Sequence, residues 1–508
     1  MGELPFWEGA CLTAKWAGQK VNPNQHPVNH GQPYLGKTFI ARILDWFYNQ
    51  LSFCCPLVRP AGSLSCHDMY LIYSIVFTLG VILTAPYYLW RLRGKITSGA
   101  GWRERFGWLP AELQQDSPGA IWIHAVSVGE TMAAAGLVRE LQRLYPQRKI
   151  LLSHVTPAGR SVGKNGLRAI TGRFYLPLDW KWAVQRALNR IRPALLLIVE
   201  TELWPNLLRA AHESGAHIVL VNGRLSDRSF HRYQLFRSFI GRVLACVDYV
   251  CAQSATDADR FRQLGAKPER VAATGNLKFD GTPPALGQFP AQLQAALRHA
   301  QRGPVLVAGS TMPGEEAKIL PAWGQVRVHH PRALLILAPR HPARFEAVAE
   351  LLDSQGKSYV RRTALRLGED DLVSPLASPE ILLLDTIGEL AGIFEVADLV
   401  FMGGSLVPTG GHNLLEPAYW SKPILFGPYM HNFRDIARLF LEAGAAVEVR
   451  DAADLATNCL HLLSDEARCR QLGAGAKRML EQESGATARV VKRIGEILNL
   501  YEGPAAGA

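Results

Sequence analysis

Several short runs of this 508-residue chain place ionisable side chains where an apolar stretch gives way to polar sequence. In Ser127-Val128-Gly129-Glu130-Thr131, the glycine permits a tight strand-to-helix turn, and Glu130 then projects from the strand's carboxyl edge. There it could take a proton from an attacking hydroxyl; equally, it could serve the first helical turn as a cap. Val199-Glu200-Thr201-Glu202 sends two carboxylates off an apolar run, 194–199, and an unpaired charge beside a core is costly. Glu200 is expected to face a cleft, while Thr201 and Glu202 suit the cap of the next helix. In Gly275-Asn276-Leu277-Lys278, the lysine could offset the charge of a departing phosphate or remain a solvated loop side chain. Pro339-Arg340-His341 offers a guanidinium that can hold a phosphate through two parallel hydrogen bonds, beside a histidine that packs or binds.

The densest run is 403–417, GGSLVPTGGHNLLEP, a loop with four glycines entering a helix. Gly410, Gly411 and His412 would let backbone N–H groups approach an anion, and Asn413 and Glu416, three apart, would share a helical face suited to a ribose diol. Glycine-rich loops also serve turn geometry alone. The stretch GRSVGK at 159–164 lacks the spacing of a nucleoside triphosphatase loop. Asp257 and Asp259, after Ser254 and Thr256, read as the acidic first turn of a helix and not as a metal pair. No cysteine or histidine spacing suits zinc, eight cysteines are too few for a disulfide scaffold, and neither a metal nor a cofactor is expected.

To hold these residues at one edge the chain needs parallel sheets. From residue 120, short apolar runs alternate with amphipathic helical patterns, the signature of βα units. Strands are predicted over 120–128, 150–155, 173–176, 194–199, 217–221, 249–252 and 271–274, with helices over 131–145, 180–191 and 203–214. A second set follows at 305–309, 333–338, 380–384, 399–402, 423–426 and 446–449. The division expected is an amino-terminal domain at 96–280, a Pro- and Gly-broken linker at 281–303, a second domain at 304–480, and a helix and tail at 481–508. The class is α/β, with ligands bound in a cleft between the carboxyl edges of two Rossmann-like sheets.

Composition narrows the partners. Hydrophobic residues make up 48% and charged residues 19%, which excludes a mainly disordered chain. Fifty-five Lys and Arg against 44 Asp and Glu leave +11, favouring an acidic partner. Residues 69–90 hold no charge and are long enough for a membrane anchor, expected over 69–95; Tyr70, Tyr73, Tyr87, Tyr88 and Trp90 lie near its ends. Arg91, Arg93, Lys95, Arg103 and Arg105 follow, so an anionic cytoplasmic leaflet is the expected partner surface. Nucleic-acid motifs are absent. Residues 1–68 read as a poorly ordered extension with a single amphipathic patch at 39–51; Cys54 and Cys55 suit modification near a membrane.

VSVGET at 126–131, ETELWPN at 200–206, GNLKFD at 275–280, APRHP at 338–342 and GGSLVPTGGHNLLEPA at 403–418 together resemble the 3-deoxy-D-manno-octulosonic acid (Kdo) transferases. The resemblance runs in order from about Met69, the expected start of such a chain, to the carboxyl terminus. It implies a GT-B fold of two Rossmann-like domains facing a cleft, preceded by a membrane-anchoring helix. The implied reaction is metal-independent, inverting transfer of Kdo from CMP-Kdo to a lipid A precursor, lipid IVA, at the cytoplasmic face of the inner membrane. By motif, Glu130 corresponds to the general base, and Glu200 and Lys278 to stabilisers of the transition state. Pro339 and Arg340, Ile387, Gly388 and Glu389, and Asn413, Leu414, Leu415 and Glu416 correspond to the CMP site. Where the family often has Asn-Pro-Leu-Glu, this chain has Asn413-Leu414-Leu415-Glu416, which keeps both polar ends. Two rivals are a GT-B transferase using another nucleotide sugar and a non-catalytic, membrane-tethered nucleotide-binding module.

Overall fold

The computed structural model describes residues 66–91, 99–116, 119–156, 159–160, 170–281, 287–365 and 375–502. The amino-terminal extension with Cys54 and Cys55, the stretch 161–164 of the GRSVGK run, and Arg93 and Lys95 lie outside them.

Two seven-stranded sheets, every strand pair parallel, carry the chain. The first contains β1 (Ala120–His124), β2 (Ile150–His154), β3 (Gly172–Tyr175), β4 (Pro193–Val199), β5 (His217–Gly223), β6 (Tyr249–Ala252) and β7 (Val271–Ala273), in the order β3-β2-β1-β4-β5-β6-β7. The second contains β8 (Val305–Thr311), β9 (Leu334–Pro339), β10 (Tyr359–Arg361), β11 (Ile381–Leu383), β12 (Leu399–Met402), β13 (Ile424–Phe426) and β14 (Val447–Glu448), in the order β10-β11-β9-β8-β12-β13-β14. Both faces of each sheet are covered, so the central strands are continuous apolar runs; β4 is buried throughout. In each sheet the strand order reverses beside the first strand, between β1 and β4 and between β8 and β12. A crevice opens at the carboxyl ends of such neighbouring strands.

Several predicted boundaries shift for physical reasons. The first strand stops at His124, because Ser127 caps the next helix instead of extending the sheet. The helix expected over 131–145 is two, Val128–Ala133 and Ala135–Leu144, meeting at Ala134. Edge strand β10 had no counterpart in the apolar pattern, since its three residues are only half-buried. Within the stretch read as a linker, residues 288–299 form a helix, Gln288–His299, whose Phe289, Leu293, Ala296 and Leu297 enter the core of the second sheet. The last helix, Ala486–Glu502, crosses back: Ala486, Val490, Ile494 and Leu498 are buried against the first sheet. Asp280 receives that helix at its start, accepting hydrogen bonds from Gly485 N (2.6 Å) and Thr487 N.

The apolar helix Cys66–Arg91 is long and apolar enough over 67–86 to cross a membrane by length and composition. One side of it is docked on the first sheet's helical layer. Tyr70 and Phe77 are buried, Tyr73 Oη donates to Asp179 Oδ2 (2.9 Å), Asn206 Nδ2 donates to Ser74 Oγ (3.0 Å), and Trp180 Nε1 donates to Thr78 Oγ1 (2.9 Å). Leu71, Ile72, Ile75, Leu79, Ile82 and Leu83 stand exposed on the other side.

Candidate active site

Glu130 follows β1 and Glu200 follows β4, so both sit where the first sheet's order reverses. Glu130 is the third residue of the helix Val128–Ala133 and is 2% exposed. Its Oε2 accepts from Val126 N (2.7 Å) and its Oε1 from Ser127 Oγ (2.9 Å), while Glu130 N donates to Ser127 Oγ (3.3 Å). This is a helix cap of the capping-box kind, with the carboxylate on the N–H before the cap residue and on the cap hydroxyl, the structural role weighed for this glutamate from the sequence. The cap fixes the carboxylate's position, and a carboxylate with about four acceptor sites can hold these bonds and still receive a proton.

Glu200 carries φ = +60°, a left-handed backbone that a glutamate rarely adopts. Strain of this kind, about 1–3 kcal/mol, persists only where surroundings hold it, and it gathers at functional sites. Glu200 N donates to Val221 O (2.9 Å), and Glu200 Oε1 lies 3.6 Å from Lys278 Nζ. Of the two carboxylates leaving β4, Glu200 is thus the one that meets the lysine. Thr201 does not cap the following helix: it bonds the backbone of Arg224, and the helix begins at Pro205 behind Trp204.

Lys278 belongs to the turn Leu277–Asp280 after the edge strand β7, far across the sheet from β1. Asn222, buried at the end of β5 with φ = +58°, accepts a hydrogen bond from Leu277 N (2.9 Å) and draws that turn inward. The turn also packs against the helix bearing Glu130. Sequence reading missed Asn222; its signal was an Asn-Gly pair where β5 ends.

In the second sheet the glycine loop follows β12, and Ser310, also left-handed at φ = +57°, lies near the end of β8. Gly410 and Gly411 have φ of 106° and 71°, and a Cβ at either would strike Asn432 or Met430, so both positions demand glycine. Glu315 holds the loop's other end. Buried completely, it accepts from Met312 N (3.1 Å), Gly404 N (2.6 Å), Ser405 N (3.0 Å) and Leu406 N (2.9 Å). Its place in the Pro313-Gly314-Glu315-Glu316 turn gave no hint from sequence that it spans to residue 404.

The expected helix after this loop is short, Leu415–Tyr419, so Asn413 and Leu414 precede it instead of opening its first turn. Leu414 and Leu415 are buried in the second core. Asn413 Nδ2 nevertheless donates to Glu416 Oε1 (3.3 Å). Burial raises the Glu416 carboxyl above its ordinary range, opposed by Asn413 and by Arg340. Burial, Arg340 and His341 lower His412 to about 4, so it is neutral near pH 7. Arg340, exposed just past the end of β9, acts electrostatically on both His412 and Glu416, which links the two motifs. Pro339 is buried as the last residue of β9.

The turn after β11 behaves differently. Ile387 is 77% exposed and Gly388 is left-handed, but the Glu389 carboxylate is occupied, paired with Arg362 (2.8 Å) and bonded by Thr386 Oγ1. That leaves the turn's backbone for a ligand. Gly388 and Glu389 line a cavity of about 250 Å³ with Phe289, Pro290 and Arg362.

The stretch between Gly427 and Asp435 joins the two sets of residues. Asn432 N donates to Gly410 O (3.0 Å), the Phe433 ring lies 5.9 Å from Lys278 Nζ, and Asp435 pairs with Arg224 of the first domain at 2.8 Å.

With this geometry in place, comparison with known proteins is direct. The family model described as 3-deoxy-D-manno-octulosonic-acid transferase matches residues 100–281. A 3-deoxy-D-manno-octulosonic acid transferase of Bordetella pertussis is 36% identical over 434 residues, covering 82% of this chain and 97% of the relative. Another from Haemophilus influenzae is 34% identical, covering 76% and 89%. Among solved structures, a UDP-N-acetylglucosamine 2-epimerase shares the fold at a TM-score of 0.50 and 13% identity, covering 75% of this chain and 96% of that one. Two relatives identical at more than a third of aligned positions, each matched over nearly its whole length, settle the family: the chain belongs to the 3-deoxy-D-manno-octulosonic acid transferases.

Proposed function

We propose that this glycosyltransferase moves Kdo from CMP-Kdo to a lipid A precursor at the cytoplasmic face of the inner membrane, with Glu130 as base. The acceptor hydroxyl oxygen attacks the anomeric carbon as its proton passes to a Glu130 oxygen. The bond from that carbon to the phosphate oxygen breaks, and CMP leaves with the electron pair. Lys278, held by Glu200, and Arg340 offset the charge that gathers on the phosphate. Asn413 and Glu416 take the ribose, the backbone of Ile387, Gly388 and Glu389 takes the base side, and Gly410, Gly411 and His412 border the phosphate. The observation that carries this reading is the Glu200–Lys278 pair at 3.6 Å, built on a strained glutamate at the sheet's reversal point and beside the helix of Glu130.

The anchor follows from the docked helix. Residues 70–81 lie against the protein on one side while Leu71, Ile75, Leu79 and Ile82 stand exposed on the other. A helix docked lengthwise in this way lies in one leaflet with that exposed side in lipid. Exposed Trp108 and Trp182, the latter stacked on Trp180, which meets Phe77 edge to face, suit the interfacial depth.

Mass spectrometry of lipid products, from purified protein supplied with CMP-Kdo and the lipid A precursor, tests the reaction. A mass increase of one or more Kdo residues is expected. Product formed only with another nucleotide sugar would refute the donor assignment.

A further inference from the structure

The turn 386–389 after β11 is fastened at both ends by side chains that the transfer step does not use. At its start, Asp385 accepts hydrogen bonds from Thr363 N (2.9 Å) and Thr363 Oγ1 (2.6 Å). At its end, the Glu389 carboxylate takes Arg362 Nη2 (2.8 Å) on one oxygen and Thr386 Oγ1 on the other. Arg362 and Thr363 both belong to the short turn Arg362–Ala364 that follows β10, so one neighbouring loop holds both ends.

Arg362 has little freedom of its own. It is 8% exposed, its guanidinium carbon lies 3.7 Å from the centroid of the Phe289 ring, and its Nη1 donates to Leu365 O (3.3 Å). A planar guanidinium with an aromatic ring against one face and two in-plane bonds is fixed in position. Phe289 stands at the start of the helix Gln288–His299, so Arg362 joins that helix to the turn. The cavity of about 250 Å³ opens between them, bordered by Gln288, Phe289 and Pro290 of the helix and by Gly388 and Glu389 of the turn. Pockets for whole drug-sized ligands run to about 300–1,000 Å³, so this one suits a single ring of a larger ligand. Gly388 is left-handed at φ = 91° with open space where a side chain would stand, so none screens the turn's peptide groups there. Trp420 Nε1 donates to Ala391 O (2.7 Å), which ties the helix after the turn to the end of the helix that bears Glu416. The cavity thereby keeps a set spacing from the ribose residues.

We propose that this cavity seats the pyrimidine ring of the donor nucleotide, and that Arg362 is the positioning residue that holds turn 386–389 rigid enough to select the ring. The assignment deepens, and stands on, the reading of Ile387, Gly388 and Glu389 as base-side residues. Cytosine and uracil differ along one edge: cytosine has an acceptor nitrogen beside an amino donor, and uracil has an N–H donor beside a carbonyl. Peptide groups held to within about 0.5 Å can prefer one pattern, and a loose turn cannot.

Titration of the full-length protein with CMP, UMP and ribose 5-phosphate, beside melting temperature, tests this. Arg362→Gln should weaken CMP about tenfold, shrink the preference for CMP over UMP, and leave ribose 5-phosphate, which has no ring to seat, within about twofold. Gln288→Trp places a large ring from an exposed position into the cavity. It should weaken CMP by a similar factor and again spare ribose 5-phosphate, and it carries the test if Arg362→Gln does not fold. Equal losses on CMP and ribose 5-phosphate would overturn the proposal, as would an unchanged CMP affinity in either folded variant. A lower melting temperature with the CMP-to-UMP ratio intact would make Arg362 a structural brace and also overturn its positioning role. Failure of the unsubstituted protein to bind CMP would instead defeat the nucleotide reading on which the assignment stands.

Discussion

Lys278 Nζ lies 3.6 Å from Glu200 Oε1 although the two follow strands at different places in the sheet, β7 at its edge and β4 at its centre. The pair exists because Asn222 draws the lysine's turn inward and because Glu200 adopts φ = +60°. Both costs fall on residues beside the proposed reaction.

Lys278→Ala should therefore lower kcat by about 10²–10³-fold with CMP affinity changed little, since its charge is needed most as the phosphate departs. Steady-state kinetics and CMP titration check this. Loss of CMP affinity with kcat preserved would place the lysine in ground-state binding instead.

Glu200→Gly separates stability from activity. Glycine adopts φ = +60° without penalty, which relieves about 1–3 kcal/mol of strain against about 0.5–1 kcal/mol of added chain entropy. The variant should melt no lower than the parent and turn over at least tenfold more slowly. A lower melting temperature with intact turnover would make Glu200 a structural residue.

Glu315 is expected to act through the loop it holds. Glu315→Gln turns an acceptor toward donors at Gly404, Ser405 and Leu406, leaving at least one buried N–H unpaired at a cost of about 1–3 kcal/mol. CMP affinity measured by titration should fall; an unchanged affinity would show that Glu315 does not shape the CMP site.

Acid should destabilise the first domain. His124 and His154, both without exposure, are held by burial at about 3 and about 4. Their folded values lie below the ordinary 6.5, so the unfolded chain binds more protons between pH 6.5 and 4, and stability falls as pH falls through that window. Each histidine contributes up to roughly 3 kcal/mol. Asp179 works in the opposite sense: burial raises it to about 6, so its share of stability is greatest below pH 3.8 and is lost as pH rises toward 6. Melting temperatures from pH 7.5 to 4.5 should decline, and His154→Gln should flatten the decline.

Much of this was readable in the amino-acid order, and the parts that were not share a cause. The βα alternation gave the two sheets, because strands covered on both faces must be apolar throughout, as β4 is. Glu130, Lys278, Arg340 and Glu416 were legible as candidates because each charged residue stands where an apolar run gives way to a turn, although Glu130 also caps its helix. Asn222, Glu315, Arg224 and Asp435 were not, since each acts on a partner tens of residues away: Glu315 on Gly404, Arg224 on Asp435. The helix Gln288–His299 was hidden by the prolines and glycines around it, although its Phe289, Leu293 and Leu297 are core residues. The docking of Tyr73 on Asp179 was equally invisible, because the apolar helix has hydrophobic residues on both sides and only packing distinguishes them.

The helix cap around Glu130 makes one substitution decisive. Glu130→Gln retains the shape and one acceptor oxygen for the cap but cannot take a proton. Single-turnover transfer from CMP-Kdo to the lipid acceptor, measured beside CMP affinity and melting temperature, should slow by about 10²–10⁴-fold with the other two preserved. Transfer within a few-fold of the parent, or a loss no larger than the fraction unfolded, would show that Glu130 only caps its helix.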